Sequence, residues 1–253
     1  MKILFGVQTE GNGHITQAIA TKQYLQENGY DVGKVFAASK KRGLSKYFTD
    51  EFDVVTYEGF DFVFDSEGRV IIWKTILKNI FELPRLITSF IKICNVIRKE
   101  KPDVIFNYYE PLVGLTALFF KNIKYVSFGH QYAMDSDIYP PINGYPVQKL
   151  FLSIINKITS IRAKIVALSY YEFNDVNMIV SPPILRKESY IKSDKCEDFV
   201  LVYLMNEDML PQLFSEAKKY PDIKIECFTK LTKQYEELPN VKLYNLDGKL
   251  FQE

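Results

Sequence analysis

Short apolar runs alternate with amphipathic stretches from the first residues onward, and this rhythm limits the fold more than any other feature of the chain. KILFGV (2–7) is almost continuously apolar, as a parallel strand buried on both faces must be. Residues 14–28 put Ile15, Ala18, Ile19 and Leu25 on one helical stripe, and Gly29 stands where a helix stops. KVFAA (34–38), FDVVTY (52–57), PDVIFNY (102–108), IKYVSFG (123–129) and AKIVALS (163–169) read as further strands. Between them lie a short basic helix at 40–48, a buried helix at 111–121 and another helix at 146–161. Strand–helix alternation of this kind predicts an α/β fold with a parallel, doubly wound sheet.

Near residue 180 the pattern changes. SPPILRKESYIKSDKCED carries two prolines and several charges but no periodicity, and it reads as a linker. The rhythm restarts with strands at 199–205, 223–228 and 241–246 and a helix at 209–220. The expected division is therefore 1–183 as a first domain, 184–198 as linker and 199–253 as part of a second.

Residues 70–99 stand apart. Trp73, Ile76, Leu77, Ile80 and Phe81 recur at helical spacing, Pro84 interrupts, and Leu86, Ile87, Phe90, Ile91, Cys94 and Ile97 form a second stripe. Lys74, Lys78, Arg85, Lys92, Arg98 and Lys99 are interspersed. Two amphipathic helices covering the sheet is one reading, since such stripes usually mean core. A basic interfacial patch in peripheral contact with a membrane, or holding a lipid-linked substrate, is the other.

The net charge is +1, so no global field attracts a polyanion, and nucleic acid is not an expected partner. Cys94, Cys196 and Cys227 have no metal-ligand spacing, and two histidines are too few for a histidine-built metal site. The scattered thiols suit a reducing cytoplasm. The first apolar run is too short for a signal peptide, and no stretch reaches the roughly 18 apolar residues of a membrane span.

The first strand leads into Glu10-Gly11-Asn12-Gly13-His14. The dinucleotide fingerprint G-x-G-x-x-G fails, because its third glycine would fall on Thr16, and no phosphate-binding G-x-x-x-x-G-K-[ST] loop exists. The place itself is informative. Strand carboxyl ends face the binding crevice of a doubly wound sheet. Glycines there permit positive φ and close ligand approach, and the following helix N-terminus suits an oxyanion. A histidine at that point either caps the helix or acts as a base, with an ordinary pKa of about 6.5 lowered by the helix terminus. Glu110, before Pro111 at the end of the fourth strand, reads either as a crevice residue or as an acid favoured at a helix start.

Four stretches carry a family resemblance. They are Gly11-Asn12-Gly13-His14-Ile15 with Ala18, Tyr109-Glu110-Pro111-Leu112, Ser127-Phe128-Gly129-His130-Gln131, and Pro182-Pro183-Ile184-Leu185-Arg186. Together they resemble GT-B fold glycosyltransferases over residues 1–186: the family that glycosylates lipid-linked muramyl-pentapeptide, the UDP-glucuronosyltransferases, and most of all the bacterial and archaeal glycosyltransferase-related group. The chain departs from that pattern at Thr9 and Glu10, where relatives carry small residues, and at Gln17, where many carry Arg.

The resemblance implies two Rossmann-like domains facing across a cleft, the first for an acceptor and the second for a nucleotide-sugar, with no cofactor and no essential metal. It implies His14 as general base of an inverting displacement, with Glu110 orienting His14 or binding acceptor. Gly11, Asn12, Gly13, Tyr109, His130 and Gln131 would be acceptor-side residues, with Tyr108 and Asp135 as weaker candidates. Asn206 and Glu207, with Met205, would be donor-side. The implied partners are a UDP-sugar and a sugar or lipid-linked acceptor, in the cytoplasm or at the inner face of its membrane. The glycine-rich donor segment of such enzymes has no counterpart after Asp247-Gly248, so the expectation is an incomplete second domain and a chain that turns over poorly by itself. The alternative is a non-catalytic sugar- or partner-binding module, or the acceptor subunit of a two-chain enzyme.

Overall fold

A computed structural model describes residues 1–9, 12–38, 44, 46–63, 70–139, 144–187, 198–204, 207–229, 231, 234–235 and 238–245. They fall into two compact units, the first within Met1–Val63 and Val70–Ile191, the second within Lys192–Glu253.

The first unit is built on strands β1 (Lys2–Val7), β2 (Asp31–Ala38), β3 (Val54–Tyr57), β4 (Val104–Tyr108), β5 (Lys124–Gly129), β6 (Ala163–Leu168) and β7 (Met178–Ser181). Their order is β3-β2-β1-β4-β5-β6-β7, and every pairing is parallel. The order reverses direction between β1 and β4, which opens a crevice at their carboxyl ends. This is the doubly wound sheet that the alternation predicts. β7 is an addition: MIVS is a short, half-covered edge strand, and its four residues give no alternation to read.

Helices cover both faces. On one side α1 (Asn12–Glu27) lays Ile15, Ala18, Ile19 and Leu25 against Ile3, Phe5 and Val7. Gly29, at φ +76°, ends it in the left-handed conformation that glycine tolerates best. α2 (Lys46–Thr49) adds Phe48 to this core. On the other side α4 (Leu83–Glu100) buries Leu86, Ile93 and Ile97 against Leu4, Phe36 and Ile105, beside Leu112 and Val113 of α5 (Pro111–Thr116). α6 (Pro146–Thr159) runs close to α5: a Cβ on Gly114 would lie 2.4 Å from the Ile158 carbonyl oxygen, so only glycine fits.

Pro84 does not break a helix. It occupies the first turn of α4, where a missing N–H costs nothing, while α3 (Ile72–Phe81) ends just before it. The two stripes have different fates. α4 is core, but of α3 only Thr75 is buried. Covering the sheet is thus true of α4 alone.

The segment read as linker begins on the first unit. Ile184 packs on its core, the Arg186 guanidinium lies 5.2 Å over the Tyr47 ring, and Lys187 pairs with Glu27. The second unit has a parallel sheet ordered β10-β9-β8, from β8 (Val200–Tyr203), β9 (Ile225–Thr229) and β10 (Val241–Asn245), with α7 (Leu210–Ala217) after β8. Ala217, Ile225 and Val241 form its small core. Among the described residues no helix is long and apolar enough to cross a membrane.

Candidate functional site

The crevice between β1 and β4 collects most of the singled-out residues. α1 starts at Asn12, two residues earlier than the sequence pattern suggests, so His14 belongs to the first helical turn. Gly13 is exposed and helical rather than at positive φ, which corrects the expected backbone role for that glycine. A Cβ there would meet nothing within 4 Å, so the space above it is open. Glu10 and Gly11 lie outside the described residues, as do Met205, Asn206, Asp247 and Gly248.

The His14 ring stacks on Tyr109, centroids 5.8 Å apart, and on His130 at 5.9 Å. His14 is 95 positions from Tyr109 and 116 from His130 in sequence. They meet because β1, β4 and β5 are neighbours and each residue follows its strand's carboxyl end. Burial, then the nearby His130, lowers the His14 pKa to about 4, and burial lowers that of His130. His14 is therefore neutral at pH 7, beyond what a helix terminus alone suggests.

Its Nδ1 is buried and has no hydrogen-bond partner among the described residues. The same is true of Oε1 of Gln17, one helical turn after His14, and Oε1 of Gln131, next to His130. An unmet buried polar atom costs about 1–3 kcal/mol, so such atoms call for an explanation. The His14 and Gln131 atoms, which flank the stacked Tyr109 and His130, fit a polar ligand that supplies the missing bonds.

Tyr109 is held firmly. Its φ of +62° is left-handed, which for a bulky residue costs about 1–3 kcal/mol and gathers at functional sites. Its hydroxyl donates to Asn156 Oδ1 at 2.5 Å, and Asn156 Nδ2 donates to Asp135 Oδ2 at 2.8 Å and to the Gln131 carbonyl at 3.1 Å. Sequence reasoning missed Asn156, since a polar residue in a helix carries no signal of its partners. Gly129 sits close beside this ring: a Cβ would come within 3.1 Å of Tyr109 Cδ2 and 3.0 Å of Gln131 Oε1, so any side chain there would crowd both.

Two candidates have partners within the fold. Tyr108 is fully buried, donates to Thr21 Oγ1 at 2.6 Å, and stacks between Phe5 and Phe128, so it ties β4 to α1 rather than meeting a sugar. Glu110 is 2% exposed, and its carboxylate accepts from Leu112 N at 3.4 Å as the N-cap of α5. Its own N–H donates to Asn107 Oδ1, and it helps push the Tyr57 hydroxyl pKa upward, after burial. That is the helix-start reading of Glu110. Asp135 is exposed and bonds Asn156. Glu207 opens a 3-10 turn, Glu207–Met209, past the carboxyl end of β8. Among the described residues no cluster of three metal-ligating side chains occurs.

Comparison with known proteins places this geometry. A family model described as "Glycosyl transferase family 1" matches residues 1–237. No curated protein matches the chain in sequence. Among solved structures, the glycotransferase of kitacinnamycin is similar with a TM-score of 0.60 and 11% identity, over 98% of this chain and 72% of that one. SsfS6 from Streptomyces sp. SF2575, complexed with thymidine diphosphate, gives a TM-score of 0.58 and 10% identity over 96% of this chain and 72% of its own. UDP-GlcNAc 2-epimerase from Neisseria meningitidis, bound to UDP-GlcNAc, gives 0.52 and 12% over 99% and 73%. At these identities the likeness is one of fold, and the fold is that of GT-B glycosyltransferases.

Proposed function

The chain belongs to glycosyl transferase family 1, and from that premise we propose that it takes part in moving a sugar from a nucleotide-sugar to an acceptor hydroxyl, with His14 as general base. The observation that carries the reading is the neutral, half-buried imidazole at the strand-order reversal, stacked on Tyr109 and with its Nδ1 unpartnered among the described residues. Residues 1–183 would hold the acceptor and residues 199–253 would contribute to the donor site. A nucleoside-diphosphate sugar of the UDP class is the expected donor. Two fold neighbours, one complexed with thymidine diphosphate and one bound to UDP-GlcNAc, support a nucleoside diphosphate, and the second supports the uridine base. Free buried thiols at Cys94 and Cys227 suit a cytoplasmic setting.

In this reading the acceptor O–H donates to a nitrogen of His14. The imidazole takes the proton as the oxygen attacks the anomeric carbon. The bond from that carbon to the diphosphate oxygen breaks, and the nucleoside diphosphate leaves with the electron pair, inverting the centre. Tyr109 presents a flat face that fixes the imidazole plane. His130, exposed at the crevice edge, and Gln131 with its unmet carbonyl would take acceptor hydroxyls. Asn12 and Gly13 would border the acceptor, as would Gly11, and Glu207 the donor. Glu110 would act indirectly, by holding α5 and the chain after Tyr109.

The test is His14→Ala, assayed with UDP-sugars and an acceptor. A positioned base contributes about 10²–10⁴ in rate, so kcat should fall by that factor with donor KM nearly unchanged. Wild-type turnover in the variant contradicts the proposal. The epimerase neighbour sets the control: change of the donor sugar without any acceptor would indicate isomerisation rather than transfer.

A further inference from the structure

One side chain behind the crevice reaches the supports of both rings on which His14 stacks. Asn156 lies in the last turn of α6 and is 1% exposed. Its Oδ1 accepts from the Tyr109 hydroxyl at 2.5 Å, and its Nδ2 donates to the Gln131 carbonyl at 3.1 Å and to Asp135 Oδ2 at 2.8 Å. The last two partners belong to the 3-10 turn His130–Asp135, whose first residue is the second ring against His14. A single amide therefore ties the segment that carries Tyr109 to the segment that carries His130.

Docking α6 does not need this residue. The Thr159 carbonyl at the helix end already accepts from Asn107 Nδ2 on β4 and Ser127 Oγ on β5, at 2.7 and 2.8 Å. A hydrogen bond inside the fold replaces one to water, so it adds little net stability, but it fixes direction. The three bonds of the Asn156 side chain all lead to the segments that carry the crevice rings.

The chemistry of the tie suits a fixed setting. Tyr109 stands at φ +62°, a strained conformation for a bulky residue that must be held from elsewhere. Burial, then Tyr132 and Asp135, push its hydroxyl pKa far upward, so it stays a donor. The amide opposite does not titrate. Donor and acceptor keep their roles at any working pH.

We propose that Asn156 is a positioning residue for the transfer reaction: through the Tyr109 hydroxyl and the Gln131 carbonyl it sets the two rings against which the His14 imidazole is held. The inference rests on the reading of His14 as the base. Asn156 itself touches no substrate in this scheme, and its effect passes through Tyr109 and His130.

The experiment is a titration of the full chain by NMR with labelled histidine. The chain has two histidines, so there are two imidazole signals, and His14→Ala assigns them. Asn156→Leu removes all three bonds at nearly constant volume. Water then reaches the loosened imidazole, and the His14 midpoint should rise from about 4 to above about 5, toward the ordinary value of about 6.5. In the same variant kcat should fall about 10- to 100-fold, with donor KM unchanged. Tyr109→Phe keeps the ring and deletes only the hydroxyl, so it should move the midpoint the same way by less, and it carries the test where Asn156→Leu does not fold. Thr116→Val is the control. Its hydroxyl donates to the Val113 carbonyl at 2.6 Å and bonds the Tyr125 hydroxyl at 2.9 Å, so its loss lowers stability without touching the tie. It should leave the His14 midpoint where it is. A midpoint unmoved by Asn156→Leu and by Tyr109→Phe, or moved equally by Thr116→Val, would overturn the proposal. The titration needs no substrate, so failure of the tie shows there, while failure of the base shows as undiminished turnover in His14→Ala.

Discussion

Two buried polar regions sit side by side in the first unit, and they are finished to different degrees. Under the crevice, the last carbonyls of α6 meet the sheet. The Thr159 carbonyl accepts from Asn107 Nδ2 at 2.7 Å and Ser127 Oγ at 2.8 Å, while Thr159 Oγ1 accepts from the Tyr132 hydroxyl at 2.8 Å. Asn107 also binds the Glu110 backbone on both sides, at 3.0 and 3.2 Å. A helix end buried in this way needs such partners. Around His14 the opposite holds, since among the described residues Nδ1 of His14 and Oε1 of Gln17 and Gln131 are buried without partners. The first region is a joint. The second is left with polar atoms that the described residues do not satisfy, as a ligand site would be. What separates structure from function here is the accounting of hydrogen bonds, because both regions are polar and both lie near strand ends.

Substitutions can break this contrast. Asn107→Ala strands the Thr159 and Glu110 groups and should cost about 2–3 kcal/mol in urea unfolding. A cost below about 0.5 kcal/mol would show that the joint is not one. Gln131→Leu removes an unmet carbonyl at nearly constant volume, so stability should stay level or rise by up to about 1 kcal/mol while transfer falls. A clear loss of stability would mean that Gln131 belongs to the joint instead. These opposite signs on neighbouring polar residues are what the comparison requires.

Much of the frame was legible in the sequence. The apolar run of β1 and the strand-like stretches of β4 and β5, alternating with helix patterns, read as parallel strands, and placing His14, Tyr109 and His130 at their ends was enough to bring them together. Other features depend on partners that spacing cannot show. Glu110 reads from its neighbours equally as a crevice acid or as an acid at a helix start, and only the partners decide: Asn107 and the N–H of Leu112 bind its backbone and carboxylate and make it a cap. Tyr108 and Tyr109 are adjacent and alike, yet strand alternation sends one into the α1 core and the left-handed φ turns the other to His14. Periodicity gave α3 and α4 the same stripe and could not tell a core face from an exposed one. The lowered His14 pKa likewise comes from burial and from a second imidazole that is distant in sequence.

The central claim is that His14 works as a neutral base in this crevice, and the pH dependence of transfer tests it most directly. A depressed pKa keeps the base form present above about pH 4 and removes it only below, so the acid limb moves down from the ordinary histidine value. The account predicts that kcat/KM is level from pH 8 to about 5, halves near pH 4, and loses this limb in the residual rate of His14→Ala. An acid limb centred near 6.5, or one that survives in His14→Ala, would contradict it.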